Sequence, residues 1–414
     1  MKVTIVSPVF PPEPIVSART NHDIASALVG AGHKVTVITS YPSRPGGRLY
    51  KGYRRRLVEM EDDPDRFRIV RCANFISLRS SILSRGAQNI TFGIVSAVAQ
   101  MVYGRGDVVY VNTWPLFSAG CAIAIARICG TPCLLSVQDI YPESLSARSR
   151  IREASLAYRL LRRVDQAIAH CADRIVVLTG SLAEHYRHTR RLSAGRVRDI
   201  PNWTAVPALP TEDRGSAYRE RHGISRSTFV IAYAGTFAES AGLDALIHGV
   251  AEVSTRTDIV LLLAGDGSCY DECRAMAEKA AISRVVFHRP YTPLENAEIF
   301  GAADVLVVPT RGEISMTALP SKLMHYMFAA RPVLAICNAE SELATIVTES
   351  GCGWIVAPNR PRELVQMLET IGSSSKGALC GMGEKARAYA CEHFGTDTCL
   401  PALIRLIEEC ADAS

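Results

Sequence analysis

The chain has 414 residues, 48% of them hydrophobic, which is enough for two ordinary domains with sizeable cores. Its 13 cysteines form no CxxC pair and no Cys/His cluster. That excludes a zinc module or disulfide-framed fold and fits a reduced, cytosolic setting. The net charge of +5 hides a split: residues 1–210 carry 28 Lys+Arg against 15 Asp+Glu, a balance of +13, and residues 211–414 carry 18 against 26, a balance of −8. A basic half of this kind is suited to an anionic surface or substrate, and charge alone does not choose between membrane and nucleic acid.

The N-terminus, MKVTIVSPVF, has one lysine and a short apolar run ending in prolines, so it reads as a first strand rather than a signal peptide. No window holds the ~18 apolar residues that a spanning helix needs. Val3 to Val6, a helix over Ala18–Ala31 and the strand Lys34–Thr39 form a β–α–β unit, the start of a parallel sheet with crossover helices. Residues 41–66, rich in Pro, Gly and Arg, read as a long polar connection, and Ile69–Arg71 as the next strand.

Ile90 to Tyr103 has no charge and almost no polar face. Two readings stand: a fully buried helix, or a segment lying in a membrane interface with Arg79 and Arg85 on lipid phosphates. Buried-strand patterns follow at 107–111, 133–137 and 174–178, with an arginine-rich helix over Arg152–His170. That helix is either a solvated face or a contact for an anionic partner. The second strand of this series ends in Gln138-Asp139. Asp139 is a candidate for charge stabilisation, Gln138 for hydrogen bonding to a polyol, and ordinary turn residues are the alternative for both.

The first domain is expected over 1–203, with a Pro-rich linker over 204–226. A second domain over 227–390 repeats the plan, with strands at 229–234, 259–264, 285–287, 305–308, 333–336 and 354–356. A C-terminal helix over 391–414 is expected to pack back on the first domain. Strand ends deliver Gly235-Thr236, Gly265-Asp266-Gly267, Arg289 and the loop Thr310–Lys322 to one sheet edge. Ligands of doubly wound sheets bind at such an edge, and glycines there let backbone amides approach phosphates. Pro320-Ser321-Lys322 is expected to open a helix, with Ser321 capping it and Lys322 adding a full charge, a geometry that favours a diphosphate over an ordinary β–α turn. The chain has no Walker loop, HExxH, GxSxG or nucleophilic Cys/His signature. Nor does it show the aromatic-basic interleaving of a nucleic-acid binder.

Several short motifs occur in a characteristic order: PPEP, GHKVTVIT, YPSRPGGRLYKGY, VQDIYPES, IPNW, YAGTF followed by GL, LLLAGDGS, ADVLVVP, and LPSKLMHYM with RPVLA. Over nearly the whole chain this set resembles family 4 glycosyltransferases of the GT-B fold, in particular the O-antigen and colanic-acid branch (WbuB- or WcaI-like). The resemblance implies an α/β fold of two doubly wound Rossmann-like domains facing each other across a cleft, the N-terminal one for acceptor and the C-terminal one for donor.

It further implies a nucleotide-sugar donor, UDP-linked, and a lipid-linked glycan acceptor of surface polysaccharide biosynthesis. It implies retention at the anomeric carbon, no metal or other cofactor, no nucleic-acid partner, and a cytoplasmic location on the anionic inner face of the membrane. By resemblance, Thr236, Ser321 and Lys322 face the donor diphosphate, Gly235, Gly265 and Gly267 lie beside the nucleotide, and Arg289 lies near the base. Thr317 and His325 stand where the family has the two glutamates of its EX7E motif, and Gln138-Asp139 lies near the transferred sugar. Ala241-Gly242 and Ile15-Val16-Ser17 also depart from the family pattern. With the absent glutamates they motivate the alternative of a GT-B-shaped binding or scaffold subunit that has lost catalysis.

Overall fold

The computed structural model describes residues 1–44, 46–62, 67–78, 81–112, 116–147, 151–254, 258–280, 282, 284–311 and 319–412. The chain divides into two compact units, one of residues 1–203 with 396–414 and the other of residues 204–395.

The first unit holds eight strands: β1 (Lys2–Val6), β2 (Lys34–Ser40), β3 (Val58–Asp62), β4 (Arg68–Cys72), β5 (Val108–Val111), β6 (Cys133–Val137), β7 (Arg174–Val177) and β8 (Val197–Asp199). They form one sheet in the order β3-β4-β2-β1-β5-β6-β7-β8. All neighbours are parallel except β3, which runs antiparallel to β4 at the edge. The buried positions of the central strands are mostly apolar, with only small hydroxyl residues such as Thr4, Thr39 and Ser136 among them, because helices cover both faces of the sheet. Val3, Ile5, Val35, Val37, Val108 and Tyr110 point to one face, and Val6, Ile38, Val109, Val111 and Leu135 to the other.

The second unit holds β9 (Phe229–Ala234), β10 (Ile259–Ala264), β11 (Val285–His288), β12 (Val305–Pro309), β13 (Val333–Ile336) and β14 (Gly353–Val356). They are all parallel, in the order β11-β10-β9-β12-β13-β14.

Four sequence expectations change. The connection over 41–66 contains β3, whose VEMED pattern gives only alternate apolar residues on a half-covered edge strand. The expected linker contains a helix, Glu212–Arg221, that belongs to the second unit's core. Its burial rests on Tyr218, 1% exposed, and on Arg219, which donates to the carbonyls of Ala302 (2.8 Å) and Thr228 (3.0 Å) and pairs with Asp304 at 2.7 Å. Hydrophobic periodicity cannot register such a helix.

The expected C-terminal helix over 391–414 is two helices, Lys376–Phe394 in the second unit and Thr396–Asp412 in the first. From the latter, Leu400, Leu403, Ile404 and Ile407 pack with β1 and β2 side chains, and Glu408 meets His33 at 2.8 Å. Finally, the apolar stretch 90–103 is part of a longer helix, Ile82–Tyr103, opened by a capping box between Ser81 and Ser84. It is not fully buried. Phe92 and Ala99 face the core, whereas Ile90, Ile94, Val98 and Val102 are exposed. Among the described residues no helix is long and apolar enough to cross a membrane.

Candidate functional site

In the second unit the chain winds outward from β9 through β10 to β11, and on the other side through β12, β13 and β14. The order reverses between β9 and β12, and the carboxyl ends there are where such sheets take ligands. Two strand-end loops are locked together at this edge. Phe237 N donates to Asp266 O at 2.9 Å, and Gly235 N to Ala264 O at 2.9 Å. A Cβ on Gly265, whose φ is +145°, would stand 1.8 Å from the Gly235 carbonyl oxygen, so the approach admits only glycine.

Lys322 opens the short helix Lys322–Phe328 and turns toward β9. Its Nζ donates to the Tyr233 hydroxyl at 2.8 Å and lies 3.2 Å from where a Cβ on Gly235 would be. The Tyr233 hydroxyl in turn donates to Thr236 O at 2.7 Å. Tyr326 fixes the helix to the same strand end, accepting from Ala234 N (2.9 Å) and donating to Ala234 O (3.0 Å). Burial pushes the Lys322 ammonium down to about 8. It is thus a largely buried cation, still mostly protonated at neutral pH, poised beside a glycine loop. An anion set there would restore what burial removes.

His325 lies one turn further along, three residues from Lys322 and so on the same side of the helix. Burial lowers its pKa, so its imidazole is neutral and offers one donor and one acceptor. Arg289, just past β11, is 3.2 Å from Asp266 and lies over the Tyr270 ring at 4.6 Å, which holds it against the Gly265–Gly267 turn. The adjacent His288 is fixed by Glu295 at 2.9 Å and by Tyr218 at 3.1 Å, so the helix in the expected linker supports this edge.

Gly235, Thr236, Gly265, Gly267, Arg289, Lys322 and His325 therefore belong to one edge. Ser321 does not act as expected: its backbone is already helical and its side chain makes no capping bond, which leaves it exposed. Thr317 lies outside the described residues. Sequence reasoning missed Arg311, whose guanidinium pairs with Asp244 and whose N–H donates to Ser240 O at 3.1 Å.

In the first unit, Gln138 and Asp139 follow β6. The Gln138 amide is oriented by the fold: its Nε2 donates to Ser136 Oγ and its Oε1 accepts from Asn202 Nδ2, both at 3.0 Å. Each of these uses one of the amide's two donors and one of its two acceptor positions, so the second N–H and lone pair stay available for a polyol. Asp139 is half-buried beside it.

The loop beyond Asp139 is clamped by Arg190, which is fully buried. Arg190 donates to both Glu143 oxygens (2.7 and 2.8 Å), to Asp165 (2.6 Å) and to Tyr141 O (2.5 Å). Burial works to raise Glu143, yet Arg190 and His185 outweigh it and hold that carboxyl at about 2. Asp165, more deeply buried, is pushed up to about 6 despite Arg190.

A glycosyl transferase 4-like domain matches residues 17–203, and a glycosyl transferases group 1 domain matches residues 228–373. The two halves follow each other in the order of the two structural units. The chain belongs to the GT-B glycosyltransferases. This transferase is 26% identical over 316 residues to the probable glycosyltransferase WbjE of Pseudomonas aeruginosa, covering 74% of this chain and 76% of the relative.

Its fold is similar to that of WaaG, a glycosyltransferase involved in lipopolysaccharide biosynthesis (TM-score 0.67, 18% identity, 98% of this chain and 99% of that one). It is also similar to Anabaena Alr3699/HepE in complex with UDP (TM-score 0.68, 15% identity, all of both chains). In the transferase, the group 1 domain contains the edge built by Gly235, Gly265 and Lys322, and the 4-like domain contains Asp139 and its Arg190 clamp.

Proposed function

We propose that this transferase moves a sugar from a UDP-linked donor to a lipid-linked saccharide in bacterial surface polysaccharide biosynthesis, as a member of the O-antigen and colanic-acid branch. The observation that carries the reading is the buried Lys322 ammonium held against Gly235 at the strand-order reversal. In this proposal the donor diphosphate binds at that edge and Lys322 stabilises the charge that develops as the nucleoside diphosphate leaves. His325 hydrogen-bonds the ribose, Arg289 lies near the base, and Asp139 stabilises positive charge at the anomeric carbon, with retention of configuration. The transferred group is a hexosyl, N-acetylhexosaminyl or deoxysugar unit.

In this proposal the departure needs no metal ion, because Lys322 supplies the positive charge. The likeness to WaaG, a glycosyltransferase involved in lipopolysaccharide biosynthesis, supports a polysaccharide role, and the UDP complex of HepE supports a uridine nucleotide. The basic first half and the exposed apolar face of the helix Ile82–Tyr103 support docking on the anionic inner face of the membrane.

The test incubates the full chain with a panel of radiolabelled nucleotide sugars and lipid-linked acceptors, alongside Lys322→Ala. Transfer that falls at least a hundredfold in the variant is expected. No transfer across the panel, with UDP bound or not, would favour the second reading, a GT-B binding or scaffold subunit, which the neutral His325 in place of a carboxylate motivates.

A further inference from the structure

The first unit carries a groove that the reading above leaves unassigned. It lies between the segment after β2 and the segment after β4, has a cavity volume of about 520 Å³, and is lined by Gly47, Arg48, Leu49, Arg55, Ile76 and Leu78 among others. That volume falls in the range of small-molecule sites.

The groove is built rather than incidental. Glu13 anchors one wall by accepting from Ser43 N (2.8 Å) and Arg44 N (2.9 Å), and Tyr50 closes it through N to Pro42 O at 3.1 Å and through its hydroxyl to Arg44 O at 2.5 Å. Gly47, at φ +62°, sits so close to the other wall that a Cβ would be 2.4 Å from Ser77 O. Phe75 N ties that wall to Thr91 Oγ1 at 2.8 Å.

Charge and apolarity meet here. The run 44–58 contains six Lys+Arg and no Asp or Glu. Arg56 is paired with Glu59 at 3.4 Å, and Arg44 approaches Gln88 at 3.5 Å, whereas Arg48 and Arg55 have no ion-pair partner among the described residues. Among the described residues no acidic side chain lines the groove. Another open cavity of equal volume, beside β8, is lined by Glu184 and Asp199 as well as Arg187 and Arg198, and so has no such bias. From the groove, exposed Leu78 and Phe75 lead to Thr91, and hence to Ile90 and Ile94 on the exposed face of the helix Ile82–Tyr103.

We propose that this groove binds the phosphorylated end of a lipid: a diphosphate ester of a long apolar alcohol, its phosphates on Arg48 and Arg55 and its first carbons against Leu49, Ile76 and Leu78. Two guanidiniums suit a diphosphate, and the apolar lining with the path toward Ile90 suits the chain. The inference rests on the lipid-linked acceptor of the preceding reading and assigns where its lipid end is held.

The experiment titrates the full chain, with UDP saturating and in parallel as Lys322→Ala so that the second unit takes up no diphosphate. The probes are farnesyl diphosphate below its micellar concentration, inorganic pyrophosphate and farnesol. Farnesyl diphosphate is expected to bind at least tenfold more tightly than either of the others. Arg48→Ala with Arg55→Ala should weaken it at least tenfold, and Leu78→Ser should weaken it without changing pyrophosphate.

Equal affinity for farnesyl diphosphate and pyrophosphate would reduce the groove to a cationic patch and overturn the proposal. So would unchanged binding in the double arginine variant, or binding lost only in Ile94→Ser with Val98→Ser, which would place the amphiphile on the helix as ordinary bilayer contact. Farnesyl diphosphate bound at the groove without sugar transfer to any acceptor would keep the site and remove the acceptor reading. Transfer to a lipid-linked acceptor that is indifferent to Arg48 and Arg55 would do the reverse.

Discussion

Replacing Lys322 with methionine tests the donor edge through stability as well as activity. Burial lowers this group from 10.5 to about 8 in the folded chain, so between those values the unfolded chain binds more protons than the folded one. Stability must then rise with pH across that window, because the buried charge that folding has to tolerate is progressively lost. The full shift corresponds to about 3 kcal/mol of penalty at neutral pH. Of this, roughly 2 kcal/mol is recovered between about pH 7 and 9.5.

Lys322→Met removes the buried charge and keeps much of the side-chain volume. It should therefore stabilise the ligand-free second unit at neutral pH by about 2–3 kcal/mol and flatten the pH slope relative to wild type, while UDP affinity falls at least tenfold. Urea unfolding of both proteins over this pH range reads the difference, which cancels the titration of every other group. A variant that is less stable than wild type at pH 7, or one with the same pH slope, refutes the picture of Lys322 as a strained cation waiting for an anion.

Gly265→Ala should abolish UDP binding measured by calorimetry, since its methyl group would enter the Gly235 carbonyl oxygen; wild-type affinity would mean that the two loops do not meet as described. Ile407→Ala, at a position with 0% exposure, should destabilise the first unit by about 2–5 kcal/mol in denaturant unfolding and leave UDP binding unchanged. Ile94→Ser with Val98→Ser should reduce co-sedimentation with anionic vesicles several-fold while leaving the melting temperature within a degree or two, because both side chains are already exposed. Wild-type co-sedimentation that ignores both lipid charge and salt would remove the membrane from the account.

The parts of this fold that sequence displays are those where burial is two-sided. β9, β10 and β12 are unbroken apolar runs, and the residues just past the ends of β9 and β10, together with Lys322 in the stretch after β12, carry the donor edge. What sequence conceals is polar packing between distant positions. The Glu212–Arg221 helix is buried through one tyrosine and one arginine whose partners include His288, Ala302 and Asp304, far along the chain. Arg190 looks like one more cation in a basic stretch until its two carboxylates, 25 and 47 positions distant, are in place. Gln138 sits in a motif that suggests ligand contact, and only the structure shows that Asn202 and Ser136 orient its amide. Ser321 follows a proline in the manner of a cap, yet the backbone enters the helix one residue too early for it to serve.

The path of the chain has a consequence for how the protein is made. Residues 396–412 supply Leu400, Leu403, Ile404 and Ile407 to the core of the first unit, yet they leave the ribosome only after all of residues 204–395. The second unit is contiguous and can fold as it emerges. The first must wait, with one face of β1 and β2 uncovered, until a helix encoded far downstream arrives. Chaperone demand and susceptibility to proteolysis during synthesis should therefore fall on the half that begins first and finishes last.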